Sequence, residues 1–68
     1  MLSLSDLKAG QTVKVKTSFG AGPVVVGIVQ GVFRDIKNRR PGIDYSVDGQ
    51  EHESWAYLDQ VVEVVQNS

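Results

Sequence analysis

Short runs of this chain alternate between apolar and polar residues, which is the period of a half-buried β-strand. In 11–17 two valines fall on one face and two lysines on the other, and 43–47 alternates in the same way. The segment 24–34 carries β-branched residues on both faces, and 61–65 holds four valines around one glutamate. We predict a strand in each of these four segments.

Glycine and proline mark the connections between these strands. Gly27 and Gly31 interrupt the second strand, and a glycine inside a strand often marks a bulge or a sharp bend. Two glycines and a proline within 18–23 predict an irregular loop. The pair Asp48-Gly49 is typical of a tight β-hairpin turn.

Side-chain parity across this hairpin decides which face the aromatic residues of the following strand occupy. A two-residue turn puts Trp55 and Tyr57 on the face of Asp44. A three-residue loop with glycine in the left-handed conformation puts them on the face of Tyr45 instead. We expect the three-residue loop, because it gathers the aromatic and aliphatic side chains on one face.

These segments predict an all-β fold, a five-stranded, partly open barrel with a short N-terminal helical turn at 4–10. Since 68 residues leave no room for two cores, we expect a single domain, 1–68. With its Leu-Lys-Ala-Gly-Gln-Thr-Val-Lys-Val start and its Trp-x-Tyr-Leu-x-x-Val ending, the chain resembles the SH3-like barrels, which include KOW and Tudor modules. That resemblance implies a fold that hosts peptide binders, nucleic-acid binders and at least one enzyme family.

Charge is unevenly distributed along the chain. All seven Lys and Arg residues lie in 8–40, whereas six of the eight acids follow residue 41, and the net charge is −1. A pI near 5.6 argues against bulk attraction to nucleic acid, so any such binding depends on a local cluster. The cluster lies in a predicted loop, 34–42, and we expect the acidic hairpin to fold back beside it. Its candidate binding residues are Arg34, Lys37, Asn38, Arg39 and Arg40.

Arginine donors match both phosphates and carboxylates, so this loop predicts a nucleic-acid or a protein partner. The alternative is an ordinary polar connection whose charges keep it solvated. Two aromatic residues join the candidate site, Phe19 from the glycine-rich loop and Tyr57 from a strand end. Exposed rings suit a Pro-rich peptide, a methylated cation or stacked bases. We expect Tyr45 and Trp55 to be buried, because so small a core needs their rings.

Several kinds of chemistry find no support. The chain has no cysteine, which excludes disulfides, thiolate metal sites and thiol catalysis. Its one histidine, His52, is expected to be exposed, and no motif places a nucleophile or a metal-ligand set beside it. The glycines of 20–23 lack the Lys-Ser or Lys-Thr pair of a phosphate-binding loop. We therefore expect no catalytic residue, no metal and no cofactor.

Neither a signal peptide nor an apolar run of about 18 residues is present, so we expect a cytoplasmic protein without a membrane partner. Valines on both faces of 61–65 leave one face to be covered. Two interpretations stay open for this strand. Either it forms a contact in a homo-oligomer or a larger assembly, or it is enclosed where the barrel closes.

A second resemblance is to the plasmid-encoded type II dihydrofolate reductases, from Lys8 to about Val65. In this alignment, residues 54–57 occupy the position of the pore-lining Val-Gln-Ile-Tyr motif of that family. Tyr57 matches the tyrosine of the motif, and Lys16 matches a substrate-binding lysine. The glutamine and isoleucine that contact cofactor and substrate there are absent. We therefore predict no enzyme, but a small interaction module that binds a protein or nucleic acid through 34–42.

Overall fold

A computed structural model describes residues 2–66 of the chain. It contains five strands: β1 Thr12–Lys16, β2 Val24–Lys37, β3 Arg40–Ser46, β4 Ser54–Tyr57 and β5 Val61–Gln66. Three single 3-10 turns accompany them, at Leu4–Asp6, Ser18–Gly20 and Leu58–Gln60. The predicted all-β class and the N-terminal helical turn are therefore confirmed. None of these turns is long and apolar enough to cross a membrane, and residues 2–66 contain no other helix.

The five strands form one antiparallel sheet in the order β4-β3-β2-β1-β5. Within the described residues its two edge strands, β4 and β5, do not pair with each other, so the sheet is not closed. It nevertheless wraps around one core, because every strand contributes a buried residue to the same cluster. The cluster comprises Leu7, Val13, Val15, Val29, Ile43, Tyr45, Ala56 and Val61. Burying each of its larger aliphatic side chains contributes about 1.5–3 kcal/mol.

The long strand β2 bends at one of its two glycines. Its pairing with β3 shifts register between Val29 and Gly31, which confirms the predicted bulge there. At Gly27 the pairing with β1 is continuous. Glycine is required at this position because a Cβ would lie 2.7 Å from the Tyr45 ring and 2.9 Å from the Ser46 carbonyl oxygen. The missing side chain therefore makes room for the ring in the core.

The predicted register of the β3–β4 hairpin is wrong. Trp55 pairs with Asp44 and Ala56 pairs with Ile43, so the aromatic residues of β4 lie on the face of Asp44 rather than that of Tyr45. The expected turn does form, since the Gln50 N–H donates to the Val47 carbonyl, but the connection continues through residue 53. Because the longer connection relaxes the link between turn length and register, the small Ala56 takes the core position.

The predicted loop over 34–42 is wrong in its extent. Strand β2 continues to Lys37 and β3 begins at Arg40, so the turn between them consists of Asn38 and Arg39 alone. Their φ angles of 55° and 59° are left-handed at both central positions, the pattern of a type I′ turn. Most of the basic residues of this segment therefore lie on strands rather than in a mobile loop.

The last strand, β5, pairs with β1 in a register that shifts twice. Val61 is buried and Val64 packs against the core, whereas Val62 and Val65 are 49% and 50% exposed. The interpretation of 61–65 as a strand enclosed at a closed barrel seam is wrong for the described residues, because β5 is an edge strand.

Gln60 connects two distant parts of this fold through its buried side chain. Its Oε1 accepts a hydrogen bond of 2.9 Å from the Tyr57 N–H, and its Nε2 donates one of 2.8 Å to the Lys16 carbonyl. Both backbone groups lie at strand ends. The amide therefore fixes the end of β4 next to the end of β1.

We predict that Gln60→Met lowers the free energy of unfolding by about 1–3 kcal/mol, because it leaves a backbone donor and a backbone acceptor unpaired. Urea denaturation measures the change. Gln50→Met is the matched control at an exposed position and should stay within about 0.5 kcal/mol of the unmodified chain. Equal stability of the two variants would contradict the bridging role of Gln60.

Candidate functional site

Three aromatic rings from two parts of the chain meet beside the β1–β2 loop. The ring centroid of Phe19 lies 5.9 Å from that of Trp55 and 6.0 Å from that of Tyr57. The last two rings are 5.1 Å apart, at an interplanar angle of 87°. Edge-to-face pairs of this kind are worth about 0.5–1.5 kcal/mol beyond the area they bury. We call Phe19, Trp55 and Tyr57 the aromatic cluster.

Exposure differs sharply within the aromatic cluster. Phe19 is 72% exposed, Trp55 is partly buried and Tyr57 is only 6% exposed. Tyr57 thus forms the base of the cluster and Phe19 its outermost ring. The expected burial of Tyr45 is confirmed, whereas Trp55 lies at the surface of the fold rather than fully inside it.

The β1–β2 loop holds Phe19 in an ordered but strained conformation. Both the N–H and the hydroxyl of Thr17 donate to the Pro23 carbonyl, at 3.1 and 2.8 Å, and close the loop at its neck. Ser18 and Phe19 have φ angles of 52° and 57°. A bulky side chain in this left-handed region costs on the order of 1 kcal/mol or more. The 18–23 segment, predicted to be irregular, therefore contains a defined turn that points an aromatic ring outward.

Residues 37–40, which we call the basic turn, contact the aromatic cluster directly. Lys37 Nζ lies 5.3 Å from the centroid of the Trp55 ring, and the guanidinium carbon of Arg40 lies 4.0 Å from that of Tyr57. Both distances are within the range of cation–π attraction. Asn38 Nδ2 also donates a hydrogen bond of 2.9 Å to the Tyr57 hydroxyl. The structure thus brings Lys37, Asn38 and Arg40 together with both predicted aromatic residues.

Two carboxylates lie at the basic turn, and each has a structural partner. The Arg40 guanidinium forms a salt bridge with Asp59. Asp35 accepts a hydrogen bond of 3.1 Å from the Arg39 backbone N–H. This bond involves the backbone of Arg39 and not its side chain. Within residues 2–66, neither Lys37 nor Arg39 has an acid within salt-bridge distance.

The remaining predicted cation, Arg34, lies apart from the aromatic cluster. It lines a shallow depression with Leu4, Ser5 and Val32, near the N-terminal turn. Among the described residues it forms no hydrogen bond or ion pair with the basic turn, and it makes no cation–π contact with the aromatic cluster.

The acidic connection 47–53 lies at the far end of the β3–β4 hairpin, and the expectation that it folds beside the basic residues is wrong. Strand β3 runs from Arg40, next to the basic turn, to Ser46, next to the acidic connection. Seven residues at about 3.3 Å each separate the two ends by roughly 20 Å. The hairpin therefore keeps the opposite charges apart.

A pocket of about 330 Å³ opens beside the aromatic cluster. Its lining is Thr17, Ser18, Phe19, Tyr45, Ser54, Trp55 and Gln60. These side chains offer aromatic faces, hydroxyl groups and one amide, and none is an acid or a cation. Burial raises the pKa of the Tyr45 phenol above its ordinary value, although a hydrogen bond with Ser54 opposes part of this shift. Tyr45 therefore stays protonated and neutral near pH 7.

Other kinds of site are not formed in the part of the chain that the structure describes. No group of three or more His, Cys, Asp or Glu side chains among residues 2–66 is placed to hold a metal ion. His52 is exposed on the acidic connection, as expected.

Sequence reasoning missed the residues that shape the site rather than those that carry charge. Trp55 was expected in the core, and Thr17, Asp59 and Gln60 were not singled out. A usable signal was present in β4, where the small Ala56 between two aromatic residues is the natural core residue of an alternating strand.

We predict that Arg39→Gly raises the free energy of unfolding by about 0.5–1 kcal/mol, because glycine adopts the left-handed conformation without steric cost. Thermal denaturation measures the effect. Arg34→Gly is the control, since it removes the same side chain within β2, where glycine costs about 0.5–1 kcal/mol. Destabilisation by both substitutions would show that the turn is not strained at Arg39.

Comparison with known proteins does not assign this chain to a family. No protein-family model matches the chain, and neither a curated protein nor a solved structure matches it. We therefore infer function from the residues themselves, above all from the aromatic cluster, the neutral pocket beside it and the basic turn.

Proposed function

We propose that this chain is a non-enzymatic interaction module that binds an anionic macromolecule through the aromatic cluster and the basic turn. The observation that carries the proposal is the location of backbone strain. Within residues 2–66, the non-glycine residues with positive φ are Ser18, Phe19, Asn38 and Arg39. All of them lie in the two turns that border the aromatic cluster. Asparagine adopts this conformation readily, whereas Phe19 and Arg39 do so at a steric cost, and such strain is typical of functional sites.

The available charge supports an anionic partner. Lys37 and Arg39 have no salt-bridging acid within the described residues, and the acidic connection lies at the opposite end of the hairpin. Exposed cations next to the exposed Phe19 ring and the partly buried Trp55 ring suit a ligand that combines negative charge with flat or apolar groups. A nucleic acid and an acidic protein segment both meet this description.

The fold that accompanies this proposal is an SH3-like barrel of the kind found in KOW and Tudor modules. Three features support it: the strand order, the long bent β2, and the 3-10 turn between β4 and β5. A non-enzymatic role suits a site built from rings, hydroxyl groups and cations.

We predict that an NMR titration of the ¹⁵N-labelled chain at low salt shifts the signals of the aromatic cluster and the basic turn with at least one of two probes. The probes are a 12-nucleotide single-stranded oligothymidylate and a 12-residue Glu/Tyr peptide. For the oligonucleotide, the double variant Lys37→Gln with Arg39→Gln should bind about tenfold more weakly. For this variant, the slope of log K against log [salt] should become less negative by about 0.7 for each phosphate contact that is lost.

The matched control removes the same charge elsewhere, by Lys8→Gln with Lys14→Gln. Lys14 forms an exposed salt bridge with Glu63, which contributes little to stability, so this variant should fold and bind like the unmodified chain. If neither probe shifts these signals at low salt, or if both double variants weaken binding equally, the proposed site is wrong.

Self-association is a second candidate role, because two exposed apolar areas lie on the sheet. Val62 and Val65 are half-exposed on the edge strand β5. On β2, the exposed apolar side chains are Val24, Val26 and Ile28, with exposed fractions of 47%, 51% and 45%. Apolar area of this kind next to an unpaired strand edge favours a contact with a second copy.

We expect sedimentation equilibrium to detect a dimer at high protein concentration if β5 is the contact, and Val62→Lys to restore the monomer. Val62 suits this substitution because its half-exposed side chain contributes little to the core. A chain that stays monomeric at high concentration excludes this role and leaves the binding site unaffected.

A further inference from the structure

We propose that the anionic partner is a single-stranded nucleic acid, and that one base enters the neutral pocket while its neighbouring phosphates contact the basic turn. This inference rests on the proposed function and specifies its ligand.

The pocket favours a neutral ligand group. Its lining is uncharged and contains no acid that could pair with a cation. The Lys37 ammonium already lies over the Trp55 ring, 5.3 Å from its centroid, so a cationic ligand would have to compete with it for that face. We therefore assign a neutral group to the pocket, where hydroxyl groups of the lining such as that of Ser18 offer it hydrogen bonds.

The pocket has room for a flat ring. Its volume of about 330 Å³ is at the lower end for small-molecule sites, which run from about 300 to 1,000 Å³. A single ring-sized group therefore fits within it. Phe19, 72% exposed, presents a ring for stacking at the mouth. A nucleobase is a flat, neutral ring with hydrogen-bonding edges and stacks well on such aromatic side chains.

The charge outside the pocket specifies what the ring is attached to. Lys37 and Arg39 are cations without a salt-bridging acid in the described part of the chain. A ligand that alternates neutral rings with negative charges matches a ring-binding pocket that has Lys37 over its Trp55 wall and Arg39 in the same basic turn as Lys37. Single-stranded nucleic acid has this alternation, whereas a duplex keeps its bases stacked inside and cannot insert one without unpairing it.

Lys37 has a defined role in this arrangement. In the free protein its ammonium lies over the Trp55 ring, a contact that is weak at exposed positions. Base stacking on an aromatic side chain is stronger than such a contact, so an incoming base displaces the lysine. The released ammonium then lies beside the phosphate that accompanies the base. Binding exchanges one cation–π contact for a stacking contact and an ion pair.

The test uses the full chain and the fluorescence of Trp55, which is the one tryptophan. Four probes are compared at the same salt concentration: a 12-nucleotide oligothymidylate, an abasic strand with the same number of phosphates, a 12-base-pair duplex and the Glu/Tyr peptide. We expect the oligothymidylate to quench the fluorescence and to bind at least about tenfold more tightly than the abasic strand and the duplex.

A substitution of Phe19 separates stacking from charge. Phe19→Leu keeps an apolar side chain but removes the ring, and it should weaken oligothymidylate binding about tenfold while leaving abasic-strand binding unchanged. Phe33→Leu is the matched control, because Phe33 is also exposed and makes no ring contact with the aromatic cluster in the described residues. It should change neither affinity.

The outcomes distinguish this inference from the proposed function. Equal affinity for the oligothymidylate and the abasic strand overturns base insertion. Binding of the Glu/Tyr peptide without either single strand also overturns the inference, but leaves the interaction module in place. Absence of binding by all four probes at low salt overturns both.

Discussion

The buried amide of Gln60 is the interaction on which the candidate site depends. The sheet is open, so no ladder of backbone hydrogen bonds joins β4 to the first strands. Gln60 supplies that connection, because it bonds the Tyr57 N–H and the Lys16 carbonyl at once. Lys16 is followed directly by the β1–β2 loop, which carries Phe19. In the weakly polar interior both bonds are strong, and they hold Phe19 within reach of the other two rings.

The two turns that border the aromatic cluster both contain strained residues. Phe19 and Arg39 occupy left-handed positions at which glycine would be relaxed, and each costs on the order of 1–3 kcal/mol. Ring contacts of about 0.5–1.5 kcal/mol each recover part of this for Phe19. Arg39 has no comparable compensation from its side chain. We therefore assign the strain at Arg39 to its proposed contact with a partner.

Much of the fold could be predicted from the sequence, because strand period and glycine positions are local signals. Two strand positions followed from alternation and two from runs rich in β-branched residues, and Gly31 marked the bulge of β2. The basic turn was mistaken for a long loop because its two central residues, Asn38 and Arg39, lack the Asn-Gly pair that identifies type I′ turns. The face of Trp55 was predicted wrongly because turn length was given more weight than the small size of Ala56, which is the residue that packs opposite Ile43.

The same topology gives physical meaning to the uneven charge of the sequence. The Debye length at physiological ionic strength is about 8 Å, whereas β3 separates the acidic connection from the basic turn by roughly 20 Å. The acidic end therefore screens the basic turn very little, although the net charge is −1. Nearby acids matter more, and both serve the architecture: Asp59 pairs with Arg40 over the Tyr57 ring, and Asp35 bonds the backbone of the turn. Within the basic turn, the positive charge that has no salt-bridging acid among residues 2–66 belongs to Lys37 and Arg39.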